Sequence, residues 1–573
     1  MASGSDLEFP EISLTVWQQT YLLFGMGTLG SSLIAAAPIV TMLVLLGLLR
    51  RPAWIASLSG LFVTFCVATL AYRMPVRMAV AAASNGAAFG IFPICWVIFW
   101  AIVLFRITVD TGNFEVIKDS IELLTTDPRL QALLVAFAFG GFLEGAAGFG
   151  TPVAIAACML IGLGFSPYSA SAICLLTNTA PVAFGSLGIP LLTLAGTTGL
   201  PLGKLSSLTA LICAPLAIAT PIYMLAAVGG FKVLRGVVIP TLLSGFVFAI
   251  SQFLIATYFG PQLADILAAV VVMSAIVAYT KWKDSMTTSG PIDPLALKRF
   301  SRLGADDSID TVHPVAARII PQYSASIVMR AWSPYALLIV CILVWGAHSV
   351  QALLNKATLV FGWPCLNDLV IRVPPVTNVP APYHATFTFN MLAASGTACM
   401  LAALLSALLL RMTPSQFGRT LMGVVRQLRF PVLTISSVLA IAFLMNYAGA
   451  TATLGLALAK TGKIFPFFSI MLGWLGVFLT GSDTSANALF GTLQVITAKS
   501  VGVSPTLMAA ANSSGGTLGK MISLQTIAIA AGATGLSTLE QAKLFRFTLR
   551  HSVILLLVGG LIVLAYTYVF RLT

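Results

Sequence analysis

Three charged residues lie inside long apolar stretches of the sequence: Glu144 in "GGFLEGAAGFG", Asp483 in "FLTGSDTSANA" and Lys520 in "ANSSGGTLGK". A lysine attracts a carboxylate, and burial favours the neutral form of a carboxyl group, which can therefore take up and release a proton. A charge at mid-membrane costs roughly 2.5–3.5 kcal/mol on insertion scales, so such residues usually serve a function. Together they could bind an organic anion and move H⁺, with Glu144 and Asp483 as proton-coupling residues.

Each of these features has a structural alternative. Asp483 could cap the N-terminus of a helix, and Lys520 could extend its ammonium group to the membrane surface. The glycines around Glu144 could serve close helix packing. We favour broken helices, because glycine costs about 1 kcal/mol relative to alanine at a helical position. Broken backbone is tolerated at membrane depth where it is buried in protein or lines a cavity, and it exposes helix N-termini that attract anions.

Small polar residues accompany the charges at the same predicted breaks. The motifs "LLTNTAPVAFG", "FLTGSDTSANA" and "AANSSGGTLGK" supply amides and hydroxyls that can hydrogen-bond a carboxylate and a hydroxyl group. The residues predicted to bind substrate are Asn178, Thr179, Ser482, Thr484, Ser485, Asn512, Ser513, Ser514 and Lys520.

The composition indicates that these residues are positioned by membrane-spanning helices. The chain has 573 residues, of which 58% are hydrophobic and 9% charged, whereas soluble domains carry about 25% charged residues. Apolar runs of about 20 residues, the length that crosses a bilayer, recur along most of the chain. We therefore predict an all-α polytopic membrane protein with about 12–14 transmembrane segments and additional re-entrant or broken helices.

The net charge of +13 is explained by the positive-inside rule, since most basic residues lie between apolar runs. It therefore gives no reason to expect nucleic acid as a partner. The basic loop 281–331 is predicted to be cytoplasmic, and the Pro-rich loop 353–383 and the N-terminal segment 1–24 to lie outside. The eight cysteines form no metal-binding pattern, and no motif of a protease, hydrolase or phosphate-binding enzyme occurs. No catalytic residue, metal site or cofactor is predicted.

Short matches suggest an internal duplication. Five of them recur in the same order at offsets of 334 to 338 residues; "GFSP" at 164–167, for example, returns as "GVSP" at 502–505. This pattern predicts a first membrane repeat at 25–280 and a second at 332–573. If the two repeats are inverted, the site lies at their interface, where helices are broken.

The motifs "GGFLEGAAGFGTPVAIAA", "LLTNTAPVAFGSLGIP", "GWLGVFLTGSDTSANALF" and "AANSSGGTLGKMIS" closely resemble signature segments of the L-lactate permease family. The resemblance covers most of the chain. It implies a multi-pass protein of the cell membrane that imports L-lactate by proton symport, with glycolate and D-lactate as related substrates. It also implies the inverted repeats, two re-entrant hairpins and elevator-type motion of the ion-transporter superfamily.

The partners that follow are a small-molecule substrate (lactate or glycolate), membrane lipid and a second copy of the chain in a homo-oligomer, with H⁺ as the coupling ion. Two alternatives remain open. Hydroxyls and carbonyls at broken helices can also ligate Na⁺, which would make the protein a sodium-coupled carboxylate symporter. A passive anion channel would differ by failing to accumulate lactate against its gradient.

Overall fold

The computed structural model describes residues 16–49, 51–122, 124, 125, 127–148, 150–284, 300, 321 and 323–572. This part of the chain is predominantly helical, so the predicted all-α class is confirmed. The helices up to the basic loop are α1 (Thr28–Leu43), α2 (Ala53–Cys66), α3 (Val76–Phe89), α4 (Trp96–Asp110), α5 (Asn113–Glu122), α6 (Pro128–Ala132), α7 (Gly140–Ala146), α8 (Thr151–Gly162), α9 (Pro167–Thr177), α10 (Gly185–Thr198), α11 (Leu202–Gly229), α12 (Val238–Tyr258) and α13 (Ala264–Asp284).

The second half is also mainly helical. Its helices are α14 (Ala325–Gly346), α15 (His348–Leu354), α16 (Ser395–Leu409), α17 (Pro414–Ala448), α18 (Ala450–Leu458), α19 (Phe465–Thr480), α20 (Asp483–Val501), α21 (Pro505–Lys520), α22 (Leu524–Thr534) and α23 (Thr538–Tyr568). Most of the predicted cytoplasmic loop 281–331 lies outside the described residues.

Eleven helical segments of the described residues are long and apolar enough to cross a membrane, or twelve if one bent helix pair counts as a single span. The predicted 12–14 segments are therefore met at the lower end of the range. The difference arises because some apolar runs form short helices: α8 has 12 residues and α16 has 15. Such helices are shorter than the roughly 20 residues that a span requires.

Helices of the first half pack against helices of the second half, so the two halves do not form two separate bundles. The long helix α17 packs against α2, α3 and α4, while α11 packs against α21 and α10 against α20. Since α10 and α20 both follow a break in the backbone, the breaks of the two halves are brought to a common region.

The two halves contain comparable elements in the same order. The segments Val76–Asp110 and Pro414–Ala448 are both 35 residues long. Both α9 and α21 begin with proline directly after a serine N-cap, Ser166 and Ser504 respectively. An inverted relation between the halves stays a prediction.

Short strands join the N-terminal segment to the loop 353–383. They are β1 (Trp17–Gln18), β2 (Leu359–Gly362), β3 (Val370–Arg372), β4 (Ala381–Pro382) and β5 (Thr386–Phe389). β1 pairs in parallel with β3, β3 pairs antiparallel with β4, and β2 pairs antiparallel with β5. Residues 17 and 18 of the N-terminal segment therefore lie on the same side of the protein as the loop, as a shared outside location requires.

Candidate functional site

Glu144 lies near the end of α7, just before the chain leaves its helix. A π-helical stretch, Leu133–Phe139, leads into α7, and π-helical turns inside helices often occur at functional sites. After Ala146 the backbone breaks, and Gly148 and Gly150 adopt positive φ angles of 59° and 81° before α8 begins. The Glu144 side chain is 4% exposed, and its Oε2 has no hydrogen-bond partner among the described residues.

The glycines of this motif have two different uses. Gly148 and Gly150 allow the break, as predicted, because their φ angles lie in the region that disfavours other residues. Gly145 instead lies within the helix, where an added Cβ would stand 2.8 Å from the Cβ of Asp265. The expectation that the whole run breaks the helix is therefore wrong for 140–145, whose glycines permit close packing.

A second break in the first half positions Asn178. The segments Pro167–Thr177 and Val182–Thr198 meet at an angle of 67°, which confirms the predicted break at "NTAPVAFG". Asn178 lies close enough to Glu144 to interact with its carboxyl group, although its Nδ2 meets no acceptor with hydrogen-bond geometry. The neighbouring Thr179 hydroxyl donates to the Leu176 carbonyl at 2.7 Å, inside its own chain segment.

In the second half, Asp483 is the first residue of α20 but not its cap. The N-cap is Ser482, whose Oγ accepts from the Ser485 amide at 3.3 Å. The alternative in which Asp483 caps the helix is thus wrong. Its Oδ2 accepts from the Ser513 hydroxyl at 2.7 Å and from Asn487 Nδ2 at 3.3 Å, while Oδ1 has no partner among the described residues.

A buried polar network extends from Asp483 into the helices α19, α20 and α21. Asn512 Nδ2 donates to Asn487 Oδ1 at 2.9 Å, and Asn512 Oδ1 accepts from Gln494 Nε2 at 3.0 Å. Gln494 Oε1 in turn accepts from the Ser469 hydroxyl at 2.8 Å. Both ends of the Asn512 amide are occupied within the protein, so its predicted contact with substrate stays a prediction that this geometry does not favour.

The glycines of "ANSSGGTLGK" do not open the backbone, contrary to expectation. α21 continues without interruption to Lys520, and Gly515 and Gly519 lie where an added Cβ would collide with the backbone of α19. Gly516 leaves room for the Oδ1 atom of Asp483. The helix break falls after Lys520, between α21 and α22.

Lys520 is held inside the protein between the two acids. Its side chain is buried, so the alternative in which it reaches the membrane surface is wrong. Nζ donates to the Gly481 carbonyl at 2.7 Å, and its charge acts on both Glu144 and Asp483. It forms no ion pair of 4.0 Å or less with a described carboxylate, so its charge is shared by the two halves rather than neutralised by one acid.

A cavity of about 220 Å³ opens beside Gly481, between the start of α20 and the helices α1, α2 and α17. Its polar side is formed by Thr480, Ser482, Ser485, Gln525 and Thr434, and its apolar side by Met42, Leu46, Ala53, Trp54, Phe430, Pro431, Ile435 and Val438. Two predicted substrate-binding residues, Ser482 and Ser485, therefore line a space that can hold a small molecule.

The remaining predicted residues are placed less directly. Thr484 is partly exposed in the first turn of α20. Ser513 belongs to the network around Asp483, and Ser514 donates to the Ala510 carbonyl of its own helix at 3.0 Å. None of the three lines the cavity described above.

One buried acid was missed from the sequence. Asp265, in the first turn of α13, is 1% exposed; Oδ1 accepts from Gln252 Nε2 at 2.8 Å, and Oδ2 has no partner among the described residues. It interacts electrostatically with Glu144. Asp265 lies within an apolar run of the sequence, so it carried a signal of the kind that identified Glu144.

The site therefore contains more buried acidic residues than buried basic residues. Glu144 and Asp483 interact electrostatically with Lys520, and Asp265 interacts with Glu144. Buried charges must be compensated, and one ammonium group cannot balance three carboxylates. Bound protons or a bound cation would restore the balance.

Comparisons with known proteins agree with the motifs. Residues 31–570 match the sequence profile of a family described as L-lactate permease. The L-lactate permease of Bacillus subtilis (strain 168) is 41% identical over 97% of this chain and 99% of its own length. The glycolate permease GlcA of Escherichia coli (strain K12) is 40% identical with the same two coverages.

Among solved structures, the chain is similar to MtrF of Neisseria gonorrhoeae, which illustrates a class of antimetabolite efflux pumps. The TM-score is 0.43 at 14% sequence identity, over 86% of this chain and 84% of that chain. This likeness is too low to bear on mechanism.

Proposed function

The chain belongs to the L-lactate permease family, and from this premise we propose that it imports lactate, glycolate and related small 2-hydroxy monocarboxylates by proton symport. Membership of a permease family makes the protein a multi-pass membrane transporter, and the L-lactate and glycolate permeases among its relatives supply the substrate class. The coupling ion is the part of the proposal that rests on the residues of this chain.

The observation that carries proton coupling is the pair of buried, unpartnered carboxyl atoms on neighbouring elements. Glu144 Oε2 and Asp265 Oδ2 both lack a hydrogen-bond partner among the described residues, and the two side chains interact. Two adjacent buried carboxylates cannot both stay ionised without a compensating charge. A proton held by this pair removes the conflict, and its release restores it.

The proposed binding site for the substrate lies in the second half of the chain, at the N-terminus of α20. Ser482 and Ser485 line the cavity at the N-terminus of α20, where first-turn amides and the positive end of the helix dipole favour an anion. Lys520 donates a hydrogen bond to the carbonyl of Gly481, which directly precedes Ser482. The positive charge of Lys520 therefore lies close to the N-terminus of α20 and also favours an anion there. A carboxylate bound here also supplies negative charge near Lys520, and the apolar side of the cavity accommodates a short hydrocarbon group.

Coupling then follows from charge balance. A bound carboxylate adds one negative charge to a region that already has excess acid. A proton on Glu144 compensates it, so that substrate and proton enter together and leave together. The loaded cluster is better balanced than the cluster with substrate alone, which makes transport of either species without the other less favourable.

The test uses the purified full chain in proteoliposomes with an imposed pH gradient. Glu144→Gln removes the proton site while preserving side-chain size, so we expect exchange of internal for external lactate to persist and proton-driven accumulation to disappear. Glu540→Gln is the matched control, because Glu540 is a partly exposed residue of the α23 capping box and glutamine also serves in that motif. If Glu144→Gln vesicles still concentrate lactate, Glu144 is not the coupling residue.

The same vesicles separate the alternatives. A sodium-coupled symporter would accumulate lactate under a sodium gradient at equal pH on both sides. A passive channel would let lactate equilibrate under either gradient, and its concentration ratio would not exceed the value set by the membrane potential. We expect accumulation that follows the pH gradient and does not require sodium.

A further inference from the structure

A second, large apolar cavity lies between helices of the two halves. It has a volume of about 940 Å³ and is bounded by α11, α12 and the first part of α23. Its walls are mostly apolar, and the polar groups are concentrated on α23. The lining residues are Ile218, Ala219, Ile222, Tyr223, Ala226, Ala227, Phe231, Leu242, Arg546, Phe547, Arg550, His551 and Ile554.

The length of α23 places the arginines of this cavity at the level of lipid headgroups. The helix has 31 residues, or about 46 Å at about 1.5 Å per residue, whereas the hydrocarbon core of a bilayer is about 30 Å thick. About ten residues must therefore extend beyond the hydrocarbon. The polar end is the N-terminal one, which carries the capping box and Lys543 before Arg546 and Arg550.

The basic residues at the N-terminal end of α23 indicate that this end lies on the cytoplasmic side. Lys543, Arg546 and Arg550 lie on α23, and Lys232 and Arg235 follow the adjacent end of α11. This concentration of basic residues is typical of cytoplasmic segments. The cavity therefore opens toward the inner leaflet.

The two arginines line the cavity and are not neutralised by an acidic residue of the described part of the chain. They are four residues apart, so they share one face of the helix. Both are exposed, and neither forms an ion pair with a carboxylate of the described residues. Other arginines are engaged: Arg129 pairs with Asp127 at 2.7 Å, and Arg429 stacks on the ring of Phe430.

We propose that this cavity binds an anionic phospholipid of the cytoplasmic leaflet, with Arg546 and Arg550 holding its phosphate group. Guanidinium groups bind phosphate through paired, charge-assisted hydrogen bonds, and basic pockets between transmembrane helices on the cytoplasmic side suit anionic headgroups. The apolar walls from α11 and α12 receive an acyl chain. A free phosphate would use the arginines and leave these walls exposed, so the lipid fits both parts of the cavity.

The bound lipid would join the two halves of the chain. Ile218 to Ala227 belong to α11 in the first half, whereas the arginines belong to α23 in the second. The site is separate from the residues proposed for lactate transport, since it shares no residue with the cluster around Lys520 or with the smaller cavity.

The test measures lipid binding to the purified full chain by native mass spectrometry. Phosphatidylglycerol is titrated against phosphatidylcholine, and the double variant Arg546→Gln with Arg550→Gln is compared with Arg419→Gln with Arg426→Gln. Arg419 and Arg426 are exposed arginines of α17 that do not line the cavity. We expect phosphatidylglycerol binding to weaken on the order of tenfold in the first variant, since two charge-assisted contacts are lost, and to stay within about twofold in the second.

Several results would overturn the proposal: unchanged binding in the first variant, equal loss in both variants, or equally tight phosphatidylcholine binding. Competition by glycerol phosphate at similar concentration would identify a site for a soluble anion instead. A change of oligomeric state in the arginine variant would identify an interface with a second copy. If the double variant does not fold, Ala226→Trp fills the apolar part with both arginines in place and must also weaken phosphatidylglycerol binding.

Discussion

The helix break around Glu144 in the first half and the one around Asp483 in the second half contain similar residues, but these residues differ in their hydrogen bonding. Asp483 Oδ2 accepts two hydrogen bonds, and the chain of amides behind it is saturated through Asn487, Asn512 and Gln494. Glu144 Oε2, Asn178 Nδ2 and Asp483 Oδ1 are all buried without a partner among the described residues, but the Asp483 carboxylate is also held by its two hydrogen bonds, whereas the Glu144 carboxylate has no comparable network around it. A saturated network fixes one geometry, whereas unpartnered groups can change protonation state or bind a ligand at little structural cost. The difference assigns positioning to the second break and proton exchange to the first.

Lys520→Ala is expected to have the largest effect, because this lysine acts on both breaks. Its removal leaves buried acids uncompensated, which typically costs about 3–5 kcal/mol. We expect a marked loss of thermal stability in detergent, measured by intrinsic fluorescence, together with a steep rise in the KM for lactate. Lys520→Arg should restore stability better than affinity, because the planar guanidinium group needs a different geometry.

A double variant shows which acid depends more on the lysine. Lys520→Ala with Asp483→Asn should be more stable than Lys520→Ala alone, since it removes an uncompensated charge. If the single and double variants unfold at the same temperature, the charge of Asp483 is not what Lys520 balances.

Gly473→Ala tests whether the second break is a tightly packed unit. An added Cβ on Gly473 would collide with the Asn512 carbonyl of α21, and overpacking of this kind costs about 1–3 kcal/mol. We expect a lower unfolding temperature and lower expression. Gly423→Ala is the matched control, because Gly423 lies in α17 with no atom within 4 Å of the added methyl group. Equal stability of the two variants would show that α19 and α21 can separate easily.

The asparagines of the two breaks offer a direct contrast. Asn512→Ala leaves the buried Asn487 Oδ1 without its donor and removes one of the two acceptors of Gln494 Nε2, so we expect a loss of about 1–3 kcal/mol in the free energy of unfolding. Asn178→Ala removes an amide nitrogen that has no acceptor, so stability should barely change while the KM for lactate rises. The contrast fails if Asn512→Ala unfolds at the wild-type temperature, or if Asn178→Ala has wild-type uptake.

The span architecture was predictable because the bilayer imposes its own length on apolar runs. Glu144, Asp483 and Lys520 were identifiable for a similar reason: a charge in such a run is expensive, and all three are buried as predicted. These inferences depend on local sequence and on a known solvent, and neither requires knowledge of which helices touch.

The use of each glycine was not predictable, because it depends on the partner helix. Gly148 breaks its helix, whereas Gly145 and Gly515 permit contact with Asp265 and with α19. The same residue type in the same kind of motif thus serves opposite purposes. Asp265 was missed for a related reason: it begins a helix far along the chain from Glu144, and its importance appears when α7 and α13 are packed together.

Asp265→Asn should have the smallest effect, yet it addresses the proton site most directly. Asparagine keeps an oxygen acceptor for Gln252 Nε2 and removes the negative charge beside Glu144, so the fold should be preserved. One of the two carboxyl groups that can hold the proton is then lost, so the midpoint of the pH dependence of lactate uptake should shift. Uptake is measured in proteoliposomes across a series of external pH values at a constant pH difference. Asp110→Asn is the control, since Asp110 hydrogen-bonds Thr420 at the end of α4 and is not part of the cluster. A shift shared by both variants would reflect surface charge, and an unchanged midpoint in Asp265→Asn would leave Glu144 to exchange its proton without a carboxyl partner.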